Sequence, residues 1–137
     1  MTDYLDVRMT PQEINAVSTL GLAHIGDCVY ELLVRSYGIA DGEVGNQEMH
    51  AATVAMVSAA AQADALKTLL PLLTEEEADV CRRGRNAKVN SVPKHAEIGD
   101  YHAATALECL FGWLYLNGAH ARINELFAAI VEHRHNA

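Results

Sequence analysis

Between Ala103 and Leu116 the chain carries one charge, Glu108, in a segment that is apolar on nearly every side of a helix. A helix of that kind belongs in the core. Apolar residues elsewhere recur at helical spacing: Leu22, Ile25, Val29 and Leu32 form one stripe, Ala52, Met56, Ala59, Ala63 and Leu66 a second, and Ile123, Leu126, Phe127, Ile130 and Val131 a third. No segment alternates as a strand, and neither an internal repeat nor a low-complexity tract is present. The expectation is one all-α domain over residues 1–137, with about six helices.

Cap signals place the boundaries. Thr10-Pro11-Gln12-Glu13 has capping-box spacing with Pro at the first helical position, so a helix starts there and runs towards Ser18. Gly21 is expected to interrupt it. A second helix then covers Leu22 to Tyr37, with Gly38 as its stop and Asp41 to Gly45 as a turn. Asn46 to Leu69 reads as one Ala-rich helix ended by Pro71. Thr74-Glu75-Glu76-Glu77 repeats the capping box, and Gly84 is expected to break the short helix that follows. Arg85 to Gly99 carries loop signals. Helix resumes near Asp100, ends at Asn117-Gly118, and returns from Ala119 to Glu132.

With 137 residues, half of them apolar, the chain can bury a real core. No run approaches the roughly 18 apolar residues of a membrane span, and the first residues lack the layout of a signal peptide, so a cytoplasmic location is expected. Cys28, Cys81 and Cys109 are unclustered and read as reduced thiols. A net charge of -8 argues against holding nucleic acid by overall basicity. Local charge differs. Five of the ten Lys and Arg residues, Arg82, Arg83, Arg85, Lys88 and Lys94, fall within thirteen positions that contain no Asp or Glu.

From Ala16 to Tyr30 Asp27 is the sole charged residue besides His24, so two carboxylates stand alone among apolar neighbours. Burying an ionised carboxylate alone is costly, and such a group is normally paired, hydrogen-bonded, protonated or bound to a metal ion. If their helices pack together, Asp27 and Glu108 offer hard oxygen ligands suited to Mg²⁺ or Mn²⁺. The competing reading pairs Asp27 with Arg35 or a histidine, and Glu108 with a backbone group or Lys94. Glu31 is either an outer ligand or a surface acid paired with Arg35. Thr105 either holds a metal-bound water or bonds back to its own helix.

Leu22-Ala23-His24-Ile25-Gly26-Asp27-Cys28-Val29-Tyr30-Glu31 resembles the signature helix of the ribonuclease III family in its shortened, Mini-ribonuclease III form. Arg82-Arg83-Gly84-Arg85-Asn86-Ala87-Lys88, Val92-Pro93-Lys94, and the run from Ala104 to Leu116 resemble the same subfamily in order and spacing. The resemblance implies an all-helical endonuclease domain that dimerises through the signature helix and holds duplex RNA across the dimer. Asp27 matches the signature aspartate and Glu108 the late glutamate, which makes both metal ligands and catalytic residues. Ala23 and Thr105 stand where the larger enzymes carry acids, so the site has fewer anionic ligands. No separate double-stranded-RNA-binding domain is expected.

The resemblance also implies hydrolysis with Mg²⁺, or Mn²⁺, leaving 5′-phosphate ends, and precursor of large-subunit (23S) ribosomal RNA as substrate. A ribosomal protein that presents the substrate is a further candidate partner. Arg82, Arg83, Arg85, Asn86, Lys88 and Lys94 are the candidate phosphate contacts, and the alternative for that run is a solvated helix end complementing the helix dipole. His50, His95 and His102 read as surface or packing residues, and Trp113 and Tyr115 as core or dimer contacts. The alternative function is a catalytically silent RNA-binding or ribosome-associated module with the same fold.

Overall fold

The computed structural model describes residues 2–42, 45–87 and 97–136, and among them every regular element is helical. Seven α-helices and one 3₁₀ turn follow in order: α1 Pro11–Asn15, α2 Thr19–Ala40, α3 Asn46–Val57, α4 Ala59–Leu69, the 3₁₀ turn Leu70–Leu72, α5 Glu75–Arg85, α6 Ile98–Leu116 and α7 His120–His135. None is long and apolar enough to cross a membrane.

The segment with the lone Glu108 forms the middle helix. α6 packs against α2, α4, α5 and α7, and Ala106, Leu107, Cys109, Leu110 and Phe111 are wholly buried on it. Tyr30 of α2 meets Phe111 edge-on at 5.3 Å between ring centroids and Phe127 of α7 at 6.0 Å, so aromatic contacts tie three helices into one core. Glu77 and Arg122 join α5 to α7. The Arg122 guanidinium donates to both carboxylate oxygens of Glu77, at 2.7 and 2.9 Å, and to the Leu72 carbonyl at 2.8 Å. Glu77 is thus at once the reciprocal partner of the Thr74 cap and an anchor for α7.

Both capping boxes form as the sequence predicts, at Thr10–Glu13 and Thr74–Glu77. Glycine is where expectation and structure part. α1 stops at Asn15, and Ser18 caps a new helix by accepting from Gly21 N at 3.0 Å, so Gly21 lies in the first turn of α2 and does not interrupt it. α2 also runs through Gly38 to Ala40, because its left-handed stop is Gly42, at φ +98°. The span from Asn46 to Leu69 is two helices, since extended Ser58 ends α3 and caps α4. Gly84 sits inside α5 without breaking it. A Cβ there would lie 2.9 Å from both Ala106 Cα and Cys109 Sγ, so this glycine serves close packing of α5 on α6. Asn117-Gly118 does end α6: Gly118 has φ +70°, and Ala119 N donates to the Leu114 carbonyl at 2.9 Å.

Candidate metal centre and nucleic-acid face

α2 and α6 cross through two glycines. A Cβ on Gly26 would overlap the Glu108 carbonyl oxygen and lie 2.8 Å from Gly112 N, and one on Gly112 would overlap the Leu22 carbonyl oxygen. With hydrogen at both positions the backbones meet directly. Asp27 and Glu108, each beside that crossing, are therefore brought together from positions 81 residues apart in the chain, 108 less 27.

The pair is asymmetric in its exposure. Asp27 faces solvent and Glu108 is half-buried. Burial pushes the Glu108 carboxyl up to about 8, the neighbouring Asp27 charge and hydrogen bond add to the rise, and an opposing hydrogen bond from Gln62 lowers it. Without a counter-ion, Glu108 thus holds a proton near neutrality beside the Asp27 carboxylate. Ionised together the two carboxylates would repel each other, and a divalent cation would relieve that repulsion, so the pair is a suitable hard-oxygen donor set for one. Among the described residues no third His, Cys, Asp or Glu completes a cluster of metal-binding type.

The two supporting candidates are engaged elsewhere. Glu31 pairs with Arg35 at 2.9 Å, one turn on, as the surface-acid alternative required. Thr105 is buried and donates its hydroxyl to the Tyr101 carbonyl at 3.1 Å, inside its own helix. Ala23 is buried against the same crossing.

Gln62 is the residue that sequence reasoning missed. It lies on α4, only 4% exposed, and interacts with Glu108. The available signal was the one that singled out Asp27, a lone polar side chain within the apolar run from Ala59 to Ala63. Gly26 and Gly112 were equally unmarked as packing residues.

The basic run is partly described. Arg82, Arg83 and Arg85 project from the last turn of α5, and Asn86 caps it; all four are exposed. Asp79 draws on two of these cations, pairing with Arg82 and, at 3.4 Å, with Arg83. Lys88, Lys94 and His95 lie outside the described residues. Trp113 packs against the core, and Tyr115 stacks on His120 with ring centroids 6.2 Å apart. His50 is exposed, and His102 is half-buried beside Tyr101.

Comparison with known proteins establishes the family. The Ribonuclease III domain family profile matches residues 20–119, which take in α2 from its second residue, α3 through α6, and both carboxylates. A Mini-ribonuclease 3 from Brevibacillus brevis is 49% identical over 121 residues, covering 86% of this chain and 90% of that one. One from Symbiobacterium thermophilum is 43% identical, covering 82% and 87% respectively. A crystal structure of a Fusobacterium nucleatum protein superposes with a TM-score of 0.80 at 28% identity, covering 88% of this chain and 98% of that one. On these grounds the chain belongs to the ribonuclease III domain family, in the branch of the Mini-ribonucleases 3.

Proposed function

We propose that this endoribonuclease of the ribonuclease III family is a divalent-cation-dependent enzyme that cleaves double-stranded RNA as a homodimer. Its setting is the cytoplasm and its substrate a large-subunit (23S) ribosomal RNA precursor, presented by a ribosomal protein where one is needed. The observation that carries the reading is the convergence of Asp27 and Glu108 at the glycine crossing of α2 and α6.

Asp27 and Glu108 would hold Mg²⁺, or Mn²⁺ in its place. Bound there, such a cation would supply charge neutralisation at the phosphate and assistance to hydrolytic attack, with 5′-phosphate ends as the expected products. The chain's own part is positional. Asp27, on the exposed side, keeps its carboxylate open to a backbone phosphate, whereas half-buried Glu108 is held by the α6 core and by Gln62. Both acids sit on helices of one rigid crossing, which favours a fixed donor geometry. Arg82, Arg83, Arg85, Asn86, Lys88 and Lys94 grip phosphates, and the net charge of -8 repels RNA from the rest of the surface.

The dimer is proposed through α2. Leu32 is 61% exposed on it, and with Leu5, Val29, Leu33 and Tyr115 it lines an apolar groove that a second copy would cover. The decisive experiment incubates the purified chain with long duplex RNA in Mg²⁺ and again with chelator. Cutting in the first and not in the second supports the enzyme. Intact RNA in both leaves the silent RNA-binding module in its place.

A further inference from the structure

Gln62 has one end of its buried amide satisfied and the other not. Its Nε2 donates to the Val57 carbonyl at 3.0 Å, across the α3–α4 junction. A carbonyl only accepts, so that bond fixes which end of the amide is nitrogen. The side chain also acts on the Glu108 carboxyl. Its oxygen, Oε1, is buried without any partner. A buried acceptor left unpaired is destabilising, and a leucine or methionine would fill the same volume without that cost. The orphan oxygen belongs to a side chain in contact with one of the two acids, in a site that lacks a third anionic donor among the described residues.

We propose that Gln62 is a positioning residue of the cation site: one N–H orients the Glu108 carboxylate, and Oε1 is the neutral oxygen kept for the cation and its hydration shell. Its anchor is the α3–α4 corner, where Ser58 breaks the helix and Val57 exposes the carbonyl that holds the amide. The break thereby sets the third edge of the site, facing the α2–α6 crossing. This role presupposes the cation dependence proposed above.

The test is direct Mn²⁺ binding to the RNA-free chain, read by electron paramagnetic resonance, beside thermal unfolding in chelator. Gln62→Met should weaken Mn²⁺ binding roughly tenfold or more, in the range usual for residues that orient metal ligands, without lowering the melting temperature in chelator. Gln62→Glu, which keeps an oxygen at the position, should bind Mn²⁺ more tightly than Gln62→Met. Unchanged Mn²⁺ affinity in Gln62→Met overturns the proposal, whether or not the melting temperature falls. A native chain that binds Mn²⁺ normally while both variants match it removes this inference alone, whereas a native chain that binds none removes the cation-dependent reading with it.

Discussion

Gly26 and Gly112 face each other where α2 crosses α6, so closely that a Cβ added to Gly112 would stand 3.0 Å from Gly26 N. That contact sets the separation of Asp27 and Glu108, which flank it in sequence. Gly26→Ala must drive the Glu108 backbone away, and rigid backbone gives poorly. We expect a loss of about 2–3 kcal/mol, from the usual cost of overpacking, and cleavage reduced further than stability. Urea unfolding and duplex-RNA cleavage of the same preparation measure both, and a variant with native stability and activity refutes the crossing as the source of the site.

Asp27→Asn and Glu108→Gln each remove one anionic donor and keep its shape. In the absence of cation Glu108→Gln keeps the neutral form that burial already favours, and Asp27→Asn removes the charge beside it, so neither should unfold the chain. Cleavage should fall about a thousandfold, corresponding to some 4 kcal/mol of lost transition-state stabilisation. Gel mobility in chelator should show duplex RNA still bound. Cleavage at the native rate by either variant removes the residue from the reaction.

Asp79 pairs with Arg82 and Arg83, two of the proposed phosphate contacts, and would compete with RNA for them. Asp79→Asn should therefore tighten duplex-RNA binding and steepen its salt dependence, whereas Arg85→Ala should flatten the log–log slope by roughly 0.9 for each phosphate it no longer neutralises. A dimer that meets about four phosphates per subunit should show a slope of about -7. Filter binding across a salt series reads all three quantities, and a flat native response denies the basic run its role.

The Glu77–Arg122 pair links α5 to α7. The hydrogen bonds from Arg122, against the cost of burial, hold the Glu77 carboxyl below its ordinary range. A depressed acid contributes stability above its unfolded pKa and loses it as pH falls through the folded value, so this pair should fail only below about pH 4.5. Arg122→Met should cost about 2–3 kcal/mol at pH 7, less than a fully buried pair because the Arg122 side chain keeps 23% exposure. The deficit should shrink in acid. Urea unfolding at pH 7 and pH 4 checks both statements, and an equal deficit at the two values rejects the assignment.

Leu32→Glu places a charge in the exposed apolar groove of α2. If a second copy covers that groove, the variant should sediment as a folded monomer and lose most of its RNA affinity. Sedimentation velocity decides, and an unaltered dimer places the interface elsewhere.

Local chemistry in the sequence determined much of this protein. Capping boxes at Thr10 and Thr74, the stop at Gly118 and the isolation of Asp27 and Glu108 in apolar helices are legible because each depends on residues within a turn or two. Only the tertiary structure decided which glycines end helices and which let them touch: Gly42 and Gly118 adopt left-handed backbone, whereas Gly26, Gly84 and Gly112 stay helical under a neighbouring backbone or side chain. The same limit hid Gln62, whose amide matters because α4 packs on α6, and detached Glu31 and Thr105, whose polar groups found partners nearer than the site. Helix formation is a local balance, but the approach of two helices is settled by residues far apart in the chain, and a bare glycine carries no mark of what will lie against it.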